Sequence, residues 1–160
     1  MIDGLLKISE ILLGRRDKLR EAKAEHRKRV SLYFENVSRC LSDIAAALKT
    51  GTAPWQACGE LDAYEHEANR WWDAKNETLV AKVFGEELAH SLGIELFHLT
   101  SARGGAIVVL SRLQSGEYRR PPFYFGSLSP QEFLSESIIE IEQAAGRFKA
   151  LSVLALTSGS

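Results

Sequence analysis

The sequence predicts an all-α protein, a bundle of five to six helices with a long first helix and one long irregular loop at about residues 115–128. Two observations lead to this fold class. Apolar residues recur at steps of three and four along nearly every segment, which is the spacing of one face of an α-helix. The run of β-branched residues at 107–109 has no second strand-like run nearby to pair with, and an isolated strand is not stable. We therefore expect a single helical domain over residues 1–160.

The first helix is predicted at residues 2–50, because no proline interrupts this range and KTG supplies a basic last turn with a glycine stop. One continuous helix of this length would span roughly 70 Å, which is more than a small domain covers. The helix therefore either breaks between Gly14 and Arg29 or projects its N-terminal part, residues 1–25, toward another chain. Its apolar stripe consists of Leu5, Ile8, Leu12, Leu19, Ala22, His26, Val30, Tyr33, Val37, Leu41, Ile44 and Leu48.

Three later stretches complete the predicted bundle. A second helix follows the turn GTAP and runs to about Asp73. A third helical pattern follows, which Gly85 and Gly93 can divide, and we expect it to end at Gly104–Gly105. Residues 106–114 are predicted to form a separate short buried helix.

The last helix is predicted to begin at the capping box formed by Ser129 and Glu132, with Pro130 in the first turn. Its spacing directs eight residues toward the core: Phe133, Leu134, Ile138, Ile141, Ala145, Phe148, Leu151 and Leu154.

Composition and charge favour a globular protein of the cytoplasm. The net charge is −1, with 45% hydrophobic and 26% charged residues. The longest apolar run, AIVVL, is far shorter than the roughly 20 residues of a membrane span. The first residues do not have the charge order of a secretory signal, and two cysteines make no disulfide framework. We expect a cytoplasmic protein with reduced thiols.

Two patterns have residue types found in thiol or metal sites. In both, the spacing favours ordinary structural roles. Cys58 and His66 are about 80° apart around their helix and some 12 Å apart along it, so the histidine cannot act as base to this thiol. Two Glu-x-x-His pairs, Glu87/His90 and Glu95/His98, have metal-ligand spacing. They lie on one segment, however, whereas a di-iron bundle takes such pairs from two helices. We expect His98 to be partly buried, and we predict no metal and no cofactor.

A basic stretch offers the alternative of nucleic-acid binding. Residues 15–29 carry a net charge of +5, which leaves −6 for the remainder. Its three acidic residues can form pairs on the helix surface, and no aromatic residue is present to stack on a base. A solvated or coiled-coil face is thus favoured over nucleic acid. The basic residues are Arg15, Arg16, Lys18, Arg20, Lys23, Arg27, Lys28 and Arg29.

Two segments are predicted to contact other proteins. The loop sequence YRRPPFYF combines arginine with aromatic residues, the types enriched in interface anchors. Its residues are Tyr118, Arg119, Arg120, Phe123, Tyr124 and Phe125. The alternative is that Phe123 and Phe125 only close the core. Self-association, giving a homo-oligomer, is predicted for Leu5, Ile8, Leu12 and Leu19, whose stripe a domain of this size need not bury.

Residues 27–64, RKRVSLYFENVSRCLSDIAAALKTGTAPWQACGELDAY, resemble a helical module of multi-domain bacterial, often cyanobacterial, signalling and conflict proteins. FGEELAHSL and AAGRFKAL are similar to later helices of that module type. About half the chain takes part in the resemblance, and the shared motifs concern packing. The resemblance implies an effector-associated adaptor that works through protein contact, and it brings no catalytic residues.

We therefore expect a non-enzymatic protein–protein interaction module in bacterial signalling or defence. No Walker loop, dinucleotide fingerprint, GxSxG or HExxH motif is present in the sequence. The alternative is a helical protein that binds nucleic acid through residues 15–29.

Overall fold

The computed structural model describes residues 24–69, 78–116 and 129–157, whose regular elements are α-helices. The helices are α1 (Ala24–Lys49), α2 (Trp55–Asn69), α3 (Leu79–Phe84), α4 (Glu86–Ser115) and α5 (Pro130–Thr157). The predicted all-α bundle is confirmed. The question whether the first helix is continuous from residue 2 falls outside the described residues, as does the predicted loop beyond Gly116.

Helix α1 buries one continuous stripe along its length. The stripe alternates steps of four and three residues, the heptad spacing of helices that pack lengthwise. Its members are Val30, Phe34, Val37, Leu41, Ile44 and Leu48. Tyr33 is buried beside them, while His26 is only half-buried. The predicted stripe is thus confirmed from Val30 onward, although it omitted Phe34 at its centre.

Helices α1 and α5 run antiparallel in close contact. The Ser31 hydroxyl donates to the backbone carbonyl of Ser152 at 2.8 Å, and the Ser38 hydroxyl donates to that of Ala145 at 2.7 Å. The two serines are seven residues apart in α1, and so are the two acceptors in α5. Small residues therefore recur on the contact line of both helices, which allows the backbones to approach.

Three phenylalanines form the centre of the core. Phe34 of α1 packs against Phe84 of α3 and Phe148 of α5, with ring centroids 5.6 and 5.7 Å apart in tilted geometry. All three side chains are almost completely buried. This cluster joins three helices that are distant in sequence.

Helix α3 is short and separated from α4 by one glycine. The Thr78 hydroxyl caps its start by accepting from the N–H of Ala81 at 3.1 Å. Gly85 adopts φ 88°, a conformation that side chains disfavour. Gly85 thus separates two helices, as the sequence indicated, whereas Gly93 lies within α4 and does not divide it.

The predicted boundary at Gly104–Gly105 is wrong, because α4 continues to Ser115. Residues 106–114 are helical as expected, but they belong to α4 and form no separate helix. Each glycine inside a helix costs about 1 kcal/mol relative to alanine. Burial of Leu99, Ala106 and Leu110 on both sides of the glycines outweighs that cost.

Local signals fix two further helix ends. Gly51 takes a left-handed conformation after α1, and the N–H of Thr52 donates to the carbonyl of Ala47 at 2.9 Å. Ser129 and Glu132 form the predicted capping box, each side chain bonding the backbone N–H of the other at 3.2 and 3.1 Å. Both ends were predictable because capping chemistry is local.

We predict that Ser38→Ala lowers the free energy of unfolding by about 1 kcal/mol, since the variant loses a buried hydrogen bond to α5. Ser42→Ala is the matched control, because Ser42 is exposed on the same helix and gains the same helix propensity. Urea unfolding monitored by circular dichroism measures both. Equal stability of the two variants would show that the hydroxyl of Ser38 does not stabilise the pairing of α1 with α5.

Candidate functional site

The two segments predicted to contact other proteins lie outside the described residues. The loop residues Tyr118 to Phe125 fall within residues 117–128, and the self-association residues Leu5, Ile8, Leu12 and Leu19 fall within residues 1–23. Arg15, Arg16, Lys18, Arg20 and Lys23 also fall there. Their roles stay predictions.

The described part of the basic stretch does not form a uniform basic surface. Lys28 and Arg29 are exposed near the start of α1, whereas Arg27 is half-buried. The Nε and Nη1 atoms of Arg27 are buried without a hydrogen-bond partner. Of these three cations, only two are therefore presented outward in the way that phosphate contacts require.

Both cysteines are buried thiols. Burial raises the pKa of Cys40 to about 11, with the Arg39 guanidinium lowering it and the Glu60 carboxylate raising it. Burial also raises the pKa of Cys58. A raised pKa keeps each sulfur protonated at neutral pH, and the thiol is a poor nucleophile in that form. The side chain of His66 is outside the described residues.

The two Glu-x-x-His pairs are not arranged as metal-ligand pairs. Glu87 and His90 are exposed. Glu95 is turned inward, whereas His98 is exposed and packs edge-on against Phe97. The prediction that His98 is partly buried is therefore wrong. Glu95 lies on the buried side of α4, whereas His98 lies on its exposed side. In residues 24–69, 78–116 and 129–157, no three His, Cys, Asp or Glu side chains converge on a possible metal position.

A buried ion pair joins α4 to α5. Glu95 is only 8% exposed, and its Oε1 atom accepts from the guanidinium of Arg147. Burial lowers the pKa of Arg147 to about 10, which reflects its removal from water. Glu95 Oε2 and Arg147 Nε have no hydrogen-bond partner. The pair therefore determines how α4 faces α5 more than it adds net stability.

A second inward charge joins α4 to α2. Arg103 is buried, and its Nη2 atom donates to Asp62 Oδ1 at 3.2 Å. Glu65 lies in the same region, where burial raises its pKa, the Arg103 guanidinium lowers it and the Asp62 carboxylate raises it. Glu95 and Arg103 thus fix the rotation of α4 from two sides.

The opposite side of α4 is exposed and apolar. Phe97 is 70% exposed, and Ile94 and Val108 are also exposed. Gly93 and Gly104 lie on the same side, and a Cβ atom added at either would meet nothing within 4 Å. We call this side the outer face of α4. Its exposed residues are Glu86, His90, Gly93, Ile94, Phe97, Gly104, Val108, Ser111 and Arg112.

The outer face carries no charged side chain between residues 91 and 111, because the two charges of that range, Glu95 and Arg103, point inward. Surface helices normally show the reverse arrangement, with charges outward and apolar residues inward. No helix in the described part of the chain is long and apolar enough to cross a membrane. The exposed apolar side chains and the inward direction of Glu95 and Arg103 make the outer face the strongest candidate functional surface among the described residues.

Sequence reasoning did not identify this surface, although a signal was present. Glu95 and Arg103 are about 80° apart around a helix, on the side of Leu88, Leu92 and Leu99. Phe97 lies on the opposite side of the helix from this group of residues. The expected end at Gly104 separated Val108 from this face, and spacing alone does not show which side of a helix is buried.

A groove of about 450 Å³ lies between α1 and α5. Small residues, including Ser38, Ser42 and Gly146, form its floor. Its two lysines are already paired, Lys49 with Glu142 and Lys149 with Glu35. The groove is a consequence of the close approach of α1 and α5, and its rim presents no excess charge to a ligand.

We predict that Arg147→Met lowers the free energy of unfolding by about 3–5 kcal/mol, because Glu95 is left as a buried, unpaired charge. The double variant Glu95→Leu/Arg147→Met is expected to regain most of that loss, since no charge remains to be desolvated. Urea unfolding measures both. A single variant that costs under about 1 kcal/mol would show that water reaches Glu95 and that the pair does not hold α4.

No protein-family model matches the chain, and no curated protein or solved structure matches it either. The resemblance of residues 27–64 to modules of bacterial signalling and conflict proteins stays a prediction.

Proposed function

We propose that the protein is a non-enzymatic protein–protein interaction module of the adaptor type, and that the outer face of α4 is its contact surface. Phe97 is the observation that carries the proposal: it is 70% exposed within a face that has no charge from residue 91 to residue 111. The centres of protein interfaces are enriched in aromatic residues and depleted of charge. Ile94 and Val108 extend the same apolar face along the helix.

The groups with reactive chemistry in the described residues have structural roles, which supports a non-enzymatic function. The thiols of Cys40 and Cys58 are buried with a raised pKa. The Glu95 carboxylate is occupied by Arg147. The resemblance over residues 27–64 extends the proposal to bacterial signalling or defence.

The test compares the proteins that co-purify with the wild-type chain and with Phe97→Asp, each expressed at native level in its source cells. Leu32→Asp is the matched control, since Leu32 is 58% exposed on α1. We expect at least one protein to be lost by about ten-fold or more with Phe97→Asp and retained with Leu32→Asp, because a carboxylate cannot be buried at an apolar contact without a partner. Identical sets of proteins from the three chains would reject the outer face as a contact surface for other proteins.

The same co-purification assay tests the loop predicted from the sequence, and a separate titration tests the nucleic-acid alternative. The variant Arg119→Glu/Arg120→Glu tests the loop. Labelled duplex DNA and single-stranded RNA, titrated at low and moderate salt, test residues 15–29. Tight, strongly salt-dependent binding that Phe97→Asp leaves unchanged would favour nucleic acid as the ligand.

A further inference from the structure

We infer that the outer face of α4 binds the outer face of α4 in a second copy of the chain, with the two helices antiparallel. This inference rests on the proposed function, since it names the partner of the same surface. Three observations carry it. They are the two exposed glycines, the absence of charge on the outer face from residue 91 to residue 111, and the opposite charges at the two ends of α4.

Among the described residues, no contact explains the glycines at Gly93 and Gly104. In the described part of the chain, nothing lies within 4 Å of a Cβ atom built at either position, and glycine in a helix interior is less stable than alanine. They are eleven residues apart, three helical turns, so both lie on the outer face. Glycine at such positions allows the backbone of another helix to approach closely.

The face is self-complementary. In a twofold contact, each surface meets its own copy, so any central charge would meet the same charge across the axis. The outer face avoids this repulsion because it has no charge from residue 91 to residue 111. Its exposed residues Ile94, Phe97, Gly104 and Val108 are separated by three, seven and four positions, which keeps them on one side of the helix.

The charges at the ends of α4 favour the antiparallel orientation. The exposed Glu86 lies in the first turn and the exposed Arg112 in the last turn. Antiparallel pairing brings each acid near the base of the other copy, whereas parallel pairing sets like against like. In the register that sets Phe97 against the partner's Gly104, Glu86 is one helical turn from the partner's Arg112. An arginine side chain can bridge that distance.

The first test is sedimentation equilibrium of the full chain from about 1 to 100 μM, a range that detects weak and moderate dimers. We expect a concentration-dependent dimer. Gly104→Glu should weaken it by roughly a hundred-fold or more, because a charged side chain fills the close contact on both copies. Gly104→Glu should fold normally, since the position is open in the single chain. Phe97→Asp is the second variant and Leu32→Asp the control, and circular dichroism verifies the fold of each.

The second test establishes the orientation. Glu86→Arg and Arg112→Glu should each weaken the dimer by about five-fold, and the double swap should restore it to near the wild-type value. Restoration supports antiparallel pairing, because only then does each altered charge face the other. A dimer that the single swaps leave unchanged, as pairing of like against like would, or that the double swap weakens further, would overturn the orientation.

Two results overturn the inference itself. One is a monomer over the whole concentration range. The other is a dimer that Gly104→Glu and Phe97→Asp leave intact but Leu12→Asp disrupts, which would assign self-association to the N-terminal stripe. A monomer that still loses a foreign protein on Phe97→Asp rejects the inference and leaves the adaptor function standing. A chain that forms the dimer but loses no foreign protein on Phe97→Asp supports the inference and rejects the adaptor function.

Discussion

The close antiparallel contact of α1 with α5 is the constraint on which the rest of the described structure depends. Serine hydroxyls of α1 donate to backbone carbonyls of α5 at two points seven residues apart. A hydroxyl can reach the backbone of a neighbouring helix only if the two helices are close, and small residues at both contact points permit this. The same approach packs Phe34 against Phe148, and Phe34 also packs against Phe84 of α3. The exposed ion pairs along this contact, such as Lys149 with Glu35, add little by comparison.

Helix α4 is held by a different kind of interaction. Its inward contacts include Glu95 with Arg147 of α5 and Arg103 with Asp62 of α2, and buried charges tolerate few geometries. Each pair connects α4 to one particular residue of a neighbouring helix, and the two pairs together therefore favour one rotation of α4 about its axis. The rotation that satisfies Glu95 and Arg103 necessarily turns Phe97 to the outside. The internal electrostatics of the bundle therefore determine what its surface presents.

The sequence predicted those features that depend on local pattern. The spacing of the α1 stripe, the glycine stop at Gly51 and the capping box at Ser129 require only residues a few positions apart. Helix α4 was divided wrongly because Gly104–Gly105 is a strong local signal and the burial that overrides it comes from other helices. The partnership of Glu95 with Arg147 joins residues 52 positions apart, and no local pattern encodes it. The candidate surface was missed for the same reason, since residues of other helices determine which side of α4 faces inward.

The composition of α4 is costly for a helix that serves only its own chain. Gly93 and Gly104 weaken it, the exposed Phe97 leaves a large apolar surface in water, and the inward Glu95 and Arg103 must be desolvated. A helix with apolar residues on its inner side and charged residues on its outer side would avoid these costs. The frame of α1, α3 and α5 supplies the core that makes such costs tolerable, because the largest buried side chains belong mainly to those helices. A helix that carries three separate penalties on a well-packed frame is best explained by a contact beyond the chain, where the glycines permit approach and Phe97 loses its water.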